Sequence, residues 1–315
     1  MNTGATRQCR IAGYGTYLPK QTVVFDDGTR YRVSGDETQL SMAVEAGQAA
    51  LDKAGLKIND IDCIVSASAV GIQPIPCTAA LIHEQLAKST SIPALDINTT
   101  CTSFITAVDI MSYLVDANRY QNVLIISSEV GSLGLNEKQR ESYELFSDGA
   151  AAIVLSRTSD STQGVIAAMQ RTWSEGAHST EIRGGLTGLQ ARHITEHNKD
   201  DFLFDMDGRA ILRIAATKLP EMFGDFRTQF GFNIADADVI IPHQASRALD
   251  MIMKRVGASE GSYINWVREY GNMVSASVPF ILCKLLDDGS LQKGAKVLLC
   301  GTAAGLTANI VVMEI

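Results

Sequence analysis

Apolar residues along the chain follow two alternating patterns, one typical of strands and one typical of helices. Short, nearly continuous apolar runs such as IDCIVSASAV at 61–70 and NVLIISSEV at 122–130 indicate strands that are buried on both faces. Between them, TQLSMAVEAGQAALDKAGL at 38–56 repeats its apolar residues with helical spacing and ends near a glycine. The alternation resumes after a polar stretch at 171–201 and continues to the end of the chain. This pattern predicts an α/β fold whose sheets are covered by helices.

The second half of the chain repeats the pattern of the first. GLKINDIDCIV, from Gly55, recurs as GFNIADADVII at an offset of 176 residues, and VLIISSEVG, from Val123, recurs as VLLCGTAAG at an offset of 174. A third pair, the helix ends VDANRY and LDDGSL, lies at an offset of 171. Three pairs in one order indicate a duplicated unit, related by a pseudo-twofold axis. We therefore predict two halves, residues 1–160 and 161–315.

Cys101 stands in INTTCTSF, just before a helical apolar run. At a helix N-terminus the macrodipole and the free backbone N–H groups lower the pKa of a thiol, which makes it a nucleophile. At the offset of 171 residues, Cys101 corresponds to Asn272. His243 directly follows the strand-like run DVIIP, at the carboxyl end where α/β sheets bind ligands. We therefore predict a catalytic site formed by Cys101, His243 and Asn272.

Each of these residues also has a structural interpretation. A lone cysteine is more often a buried core residue, and Gly-Asn is a common turn dipeptide, so Asn272 alone would indicate a turn. Their combination with His243 favours the catalytic interpretation. The other five cysteines form no CxxC pair and have no zinc-like spacing to a histidine, so we expect free thiols and no metal site.

Charge and hydropathy exclude several classes of function. The 315 residues carry a net charge of −8 without a basic block, which argues against nucleic acid or an anionic membrane surface as the main partner. No apolar run reaches the length of about 18 residues that a membrane span needs. The N-terminal segment MNTGATRQCR lacks the apolar core of a signal peptide, so we expect a cytoplasmic protein.

Several motifs together resemble the condensing enzymes of the thiolase superfamily, and most closely the β-ketoacyl-acyl-carrier-protein synthase III family. The motifs are IAGYGTYLP near the start, Cys101 before a helix, FSDGAAAIVL at 146–155, MDGR at 206–209, PHQAS at 242–246, GN at 271–272 and GTAAG at 301–305. The resemblance implies a five-layered thiolase fold and a homodimer. It also implies decarboxylative condensation of an acyl thioester, carried on Cys101, with malonyl-acyl carrier protein, in fatty-acid or specialised lipid or polyketide biosynthesis. The substrates would be coenzyme A or carrier-protein thioesters such as acyl-CoA, and no cofactor is implied.

The resemblance also implies roles for individual residues. His243 and Asn272 would donate hydrogen bonds to the enolate oxygen, and the backbone N–H groups of Cys101 and Gly305 would form an oxyanion hole. Gly305 is as well explained as a packing glycine. Five further residues would contact substrate by resemblance, although a plain structural role fits each of them: Ile75, Phe204, Met206, Arg30 and Arg32.

The chain departs from the family pattern in several places, including Ala248 where the family has an arginine. PHQAS replaces PHQAN, and two alanines replace glycines before Gly305. The segment after Leu18 is short and lacks the tryptophan-containing stretch that packs on the coenzyme A adenine in the family. We therefore predict a specialised rather than a housekeeping member. Two other functions remain open: transfer of the acyl group from Cys101 to an alcohol, an amine or a second acyl chain, and a non-catalytic partner subunit of another synthase.

Overall fold

The computed structural model describes residues 6–315; the expectation that the chain has no signal peptide falls in part on residues 1–5, which lie outside that range. The strands of the described range are β1 Arg7–Tyr17, β2 Gln21–Phe25, β3 Gly28–Arg32, β4 Cys63–Ser66, β5 Ala94–Asp96, β6 Asn122–Glu129, β7 Gly149–Arg157, β8 Gly164–Thr172, β9 Thr180–Glu181, β10 Asp205–Met206, β11 Val239–Pro242, β12 Lys296–Ala303 and β13 Thr307–Glu314. Its α-helices are α1 Gln39–Ala54, α2 Thr78–Leu86, α3 Ser103–Asp116, α4 Arg140–Tyr143, α5 Gly208–Phe230, α6 Leu249–Arg255, α7 Val267–Tyr270 and α8 Ser277–Asp287. None of these helices combines the length and the apolar character that a membrane span requires. The predicted α/β fold is confirmed.

Nine strands form one mixed sheet in the order β11-β12-β13-β8-β1-β7-β6-β4-β5. The same arrangement occurs on both sides of the contact between β8 and β1. On one side β4 and β6 are parallel and β6, β7 and β1 are antiparallel; on the other side β11 and β12 are parallel and β12, β13 and β8 are antiparallel. The two parts join only through the first residues of β1, which pair with the start of β8. The predicted boundary between residues 160 and 161 falls in the turn between β7 and β8 and stays a prediction.

The helices and the sheet form five layers. Helices α3 and α8 contact each other and contact strands of both parts of the sheet, so they form the central layer. Helix α1 covers the outer face of β1, β6 and β7, with α2 beside it, whereas α5 and α6 pack together beyond β8. The predicted five-layered fold is confirmed, and it places the ends of α3 and α8 at the centre of the molecule.

Alternation along the buried strands explains why their sequences are apolar throughout. In β6, Val123 and Ile125 pack in the central core with α3 and α8, whereas Leu124 and Ile126 pack in the outer core with α1. Successive side chains of a strand point to opposite faces, so a sheet covered on both sides needs an apolar residue at every position. β12 repeats this pattern between the central core and the core under α5.

Helix α1 shows how local signals define an element that was predicted from sequence. Its first turn is closed by a capping box in which the Thr38 and Ser41 side chains each accept a hydrogen bond from the other residue's backbone N–H. Gly55 ends the helix in the left-handed region, with φ of 68°. The predicted helix over 38–56 is confirmed, and its glycine serves as the C-terminal cap.

Candidate active site

Cys101 lies at the centre of a short 3-10 turn that leads directly into α3. Thr100 adopts a positive φ of 52°, which is uncommon for a β-branched residue. Two hydrogen bonds to side chains fix the turn: Thr100 N–H to Asn98 Oδ1 at 2.8 Å and Thr99 N–H to Ser103 Oγ at 3.0 Å. The prediction that Cys101 immediately precedes a helix is confirmed, and the thiol is held on a rigid turn.

The turn before α8 has the same construction. Val274 adopts a positive φ of 51° at the first position of a 3-10 turn that leads into α8. Two hydrogen bonds repeat those of the first turn: Val274 N–H to Asn272 Oδ1 at 2.8 Å and Met273 N–H to Ser277 Oγ at 3.0 Å. The Oδ1 atom of Asn272 thus accepts a hydrogen bond within the turn, and the NH₂ group of the same amide is its hydrogen-bond donor.

The two turns correct the predicted correspondence between Cys101 and Asn272. Matching bonds relate the turns at an offset of 174 residues, so Cys101 corresponds to Ser275, and Asn272 corresponds to Asn98. The offset of 171 applies only to the helix ends, because α3 has 14 residues and α8 has 11. The assigned register was therefore wrong by three residues, although both turns belong to the site.

His243 directly follows β11, as predicted, and is buried. Its backbone N–H donates to the carbonyl oxygen of Cys300 on β12 at 2.8 Å, which holds it beside that strand. Burial lowers the pKa of the imidazole to about 4, so the ring is neutral at neutral pH. No residue of the described range forms a hydrogen bond with its buried Nδ1 atom.

Gly301 allows His243 and the Cys101 turn to lie close together. A β-carbon at this position would lie 2.7 Å from Cβ of His243 and 3.3 Å from Cγ2 of Thr102, the neighbour of Cys101. The turn that contains Cys101 also contacts both β12 and the turn that follows Asn272. The structure therefore brings the predicted trio, Cys101, His243 and Asn272, to one place at the centre of the molecule.

The thiol of Cys101 is not the low-pKa group that the sequence predicted. Burial, and after it the nearby Glu129, raise the pKa of Cys101 to about 12, against the lowering effect of the backbone N–H groups of Ala304 and of Cys101 itself. Loss of solvation thus outweighs the favourable position before the helix. The raised pKa favours the neutral thiol over the thiolate at neutral pH.

The loop between β12 and β13 lies against the sulfur. The backbone N–H of Ala304 donates toward the thiol of Cys101. Gly305 follows with φ of 132°, a conformation that favours glycine. This backbone requirement accounts for Gly305 structurally, and its role in an oxyanion hole stays a prediction.

A cavity of about 250 Å³ approaches the site from the side of His243. Its wall is mostly apolar and includes His243 but not Cys101. Residues from two helices and the sheet line it, among them Met206, Ile211, Leu212, Ala215, Leu249, Ile252, Met253, Gly301 and Asn309. An apolar chamber beside a buried polar cluster is typical of a small-molecule site.

The remaining predicted substrate-binding residues lie in different environments. Met206 lines the cavity. The Phe204 ring packs against Phe146 at a centroid distance of 4.9 Å, and the backbone of Phe146 pairs with that of Asn272. Ile75 is 85% exposed in the loop before α2, so a contact to substrate would require a second copy of the chain.

Arg30 and Arg32 lie on β3 of a hairpin that the sequence did not predict. The Arg30 side chain is fully buried, and its guanidinium bonds to Asp27 Oδ2 and to the carbonyl oxygens of Thr29, Glu144 and Val267. Its donors are used within the protein, which favours a structural role over the predicted substrate contact. Arg32 donates to the carbonyl oxygen of Tyr143 and stacks over the Tyr143 ring.

Glu129 is a component of the site that sequence reasoning missed. It is the last residue of β6 and is 1% exposed. Burial raises the pKa of its carboxyl group to about 7, and the group is close enough to Cys101 to affect the thiol. The only signal of Glu129 in the sequence is its position as a charged residue at the carboxyl end of an apolar strand. That position is equally typical of a carboxylate exposed to solvent at a strand end.

The described residues contain no group of three or more histidine, cysteine or acidic side chains arranged to hold a metal ion.

Comparison with known proteins identifies relatives over the whole chain. A family model described as 3-oxoacyl-[acyl-carrier-protein (ACP)] synthase III matches residues 95–173, and one for the C-terminal part of the same enzymes matches residues 228–315. The β-ketoacyl-[acyl-carrier-protein] synthase III of Clostridium perfringens is 32% identical, across 96% of this chain and 97% of that protein. The crystal structure of 3-oxoacyl-[acyl-carrier-protein] synthase III from Aquifex aeolicus VF5 matches with a TM-score of 0.86 and 25% identity, across 98% of this chain and 100% of that one. The corresponding structure from Pseudomonas aeruginosa PAO1 has a TM-score of 0.84 at 24% identity, across 98% of both chains, and shows the same fold.

The close approach at Gly301 can be tested with two Gly→Ala variants. We expect Gly301→Ala to lower the free energy of unfolding by about 1–3 kcal/mol, because His243 or the Cys101 turn must move away from the added carbon. Gly224→Ala in α5 is the matched control: its β-carbon would meet no atom within 4 Å, and alanine is favoured in a helix by up to about 1 kcal/mol. Urea denaturation measures both, and equal stability of the two variants would contradict the packing described.

Proposed function

Because the chain belongs to the β-ketoacyl-[acyl-carrier-protein] synthase III family, we propose that it condenses an acyl group held on Cys101 with a malonyl thioester, with loss of carbon dioxide. The observation that carries this proposal is that the Cys101 turn lies against His243 at Gly301 and also contacts the turn that follows Asn272. A nucleophile beside two neutral hydrogen-bond donors in a buried site suits both steps of such a reaction.

In the first step the sulfur of Cys101 attacks the carbonyl carbon of an acyl thioester. The sulfur–carbonyl bond forms, the bond to the departing thiol breaks, and the proton of Cys101 passes to that thiol. Since the pKa of Cys101 is raised to about 12, proton loss accompanies attack rather than preceding it. The backbone N–H of Ala304 beside the sulfur is placed to stabilise the negative charge that develops there.

In the second step a malonyl thioester loses carbon dioxide and leaves an enolate. The neutral imidazole of His243 and the NH₂ group of Asn272 are the donors for its oxygen, and neutral donors avoid burying an extra charge in the site. The enolate carbon then attacks the acyl carbonyl, the bond to sulfur breaks, and Cys101 takes up a proton. The product is a 3-oxoacyl thioester.

The cavity is proposed to receive the thioester arm. It reaches the site beside His243, and the wall formed by α5 and α6 is apolar, which suits an alkyl chain. The relatives' names specify acyl carrier protein, and we propose a malonyl thioester on that carrier for this chain. Acyl-CoA as the first substrate, Met206 and Phe204 as channel residues, the homodimer and the cytoplasmic location stay predictions.

We further propose that this is a specialised member of the family. The chain from Leu18 to Thr38 forms only the short hairpin of β2 and β3, and neither of the two tryptophans, Trp173 and Trp266, lies in it. An adenine contact of the usual kind therefore has no counterpart in this segment, which favours an unusual acyl donor.

Cys101→Ser tests the covalent step. We expect intact-protein mass spectrometry to show an acyl adduct after incubation of the wild-type protein with a panel of acyl-CoA thioesters, and no adduct on Cys101→Ser, because the weaker nucleophile cannot replace the thiol. Cys77→Ser is the matched control, since Cys77 is the exposed free cysteine of the described range and should be dispensable. An adduct that persists on Cys101→Ser would overturn the assignment.

His243→Ala and Asn272→Ala test the second step. We expect each variant to form acyl-Cys101 but to release carbon dioxide from malonyl-acyl carrier protein about 10²–10³-fold more slowly, the usual effect of removing one such donor. His83→Ala on α2 is the control, because His83 bonds to Thr90 away from the site. If wild-type acyl-enzyme never releases carbon dioxide, the alternative transfer to an alcohol, an amine or a second acyl chain would be favoured.

A further inference from the structure

The condensation chemistry leaves one buried charged group of the site without a role. Glu129 ends β6 and is almost completely buried. A buried carboxyl group is costly unless its oxygens are hydrogen-bonded, so its partners indicate what it does.

Four donors converge on the Glu129 carboxyl group. Its Oε1 accepts from the backbone N–H of Ala69 at 2.5 Å and from the hydroxyl of Ser275. The backbone N–H groups of Val70 and Ser275 also donate to it. Every partner donates, which matches a carboxylate, since a carboxylate only accepts.

These bonds link the two turns of the active site. On one side, Ala69 belongs to the loop after β4, and its carbonyl oxygen accepts from Nδ2 of Asn98, whose Oδ1 holds the turn of Cys101. On the other side, Ser275 lies in the turn held by Asn272 and is the pseudosymmetric counterpart of Cys101. Glu129 therefore connects the support of the nucleophile to the support of the enolate donor.

Glu129 also acts on Cys101 through its charge. The carboxylate is, after burial, the second cause of the raised pKa of the thiol. Among the groups of the described range whose pKa departs clearly from its ordinary value, Cys101 is the one on which the charge of Glu129 acts. The partners of Glu129 from the loop after β4 and from the turn before α8 are backbone N–H groups and a hydroxyl.

We propose that Glu129 is a positioning residue that keeps the Cys101 and Asn272 turns in register, and that its negative charge adds to burial in lowering the thiolate fraction of Cys101. A protonated thiol reacts slowly with oxidants and alkylating agents, whereas a thiolate reacts readily with both. The inference rests on the proposed role of Cys101 as the nucleophile. Its test uses no thioester, so its failure is distinguishable from failure of the proposed function.

The test is the pH profile of alkylation of Cys101 by iodoacetamide in the full chain. In that reaction the sulfur displaces iodide, so the rate reports the thiolate fraction. Peptide mass spectrometry follows Cys101 separately from the exposed Cys77, which serves as an internal standard for reagent reactivity.

We expect Glu129→Gln to accelerate alkylation of Cys101 above about pH 7, where the carboxyl group of the wild-type protein is ionised. A shift of one pKa unit in the thiol corresponds to an increase of about tenfold. Below that pH the wild-type carboxyl group is protonated, so the two profiles converge. A purely structural effect of the substitution would not produce this convergence.

Two further variants complete the experiment. Asp148→Asn replaces another buried carboxyl group, which holds Val33 and Ser132, and is expected to leave the profile of Cys101 unchanged. Ser275→Ala removes one donor to the carboxylate, which raises the pKa of Glu129, so alkylation is expected to exceed the wild-type rate just above pH 7 and to match it at higher pH. Ser275→Ala also decides the question if Glu129→Gln does not fold. Superimposed wild-type and variant profiles, or an acceleration that is constant at all pH values, would overturn the proposal.

Discussion

The contact between the two turns that precede α3 and α8 is the constraint on which the site depends. Each turn contains a residue of positive φ, an asparagine that accepts from it and a serine that closes the first turn of the helix. In the five-layered fold α3 and α8 pack against each other in the central layer, so the turns that precede them are in contact. The proposed catalytic residues are thus attached to the central layer of the molecule, where rotamers and backbone are restricted by packing.

Low solvation explains the unusual protonation states of the site. Burial makes His243 neutral, keeps Cys101 as a thiol and brings the pKa of Glu129 near neutrality. The same burial strengthens every hydrogen bond to charge that develops during reaction. The position before a helix alone would not lead to this balance, because its contribution is smaller than the loss of solvation.

Much of the fold, and the placement of Cys101, His243 and Asn272 together, could be predicted from sequence, because both depend on local patterns. Apolar runs identify buried strands, and His243 after such a run indicates the carboxyl edge of a sheet. The register of the duplication could not be predicted from the helix ends, since α3 and α8 differ by three residues in length. The role of Glu129 and the burial of Arg30 could not be predicted for another reason. Both depend on contacts between segments far apart in the chain, and the sequence around a single charged residue does not indicate such contacts.

The equivalence of Cys101 and Ser275 bears on how two repeated halves come to have different roles. Both halves supply the same backbone frame, yet one frame carries sulfur and the other carries oxygen at the equivalent place. The sulfur side becomes the proposed carrier of the acyl group, and the oxygen side binds the carboxylate that restrains it. Between the two turns, the exchange of an oxygen for a sulfur thus separates the proposed acyl carrier from the residue that binds the carboxylate.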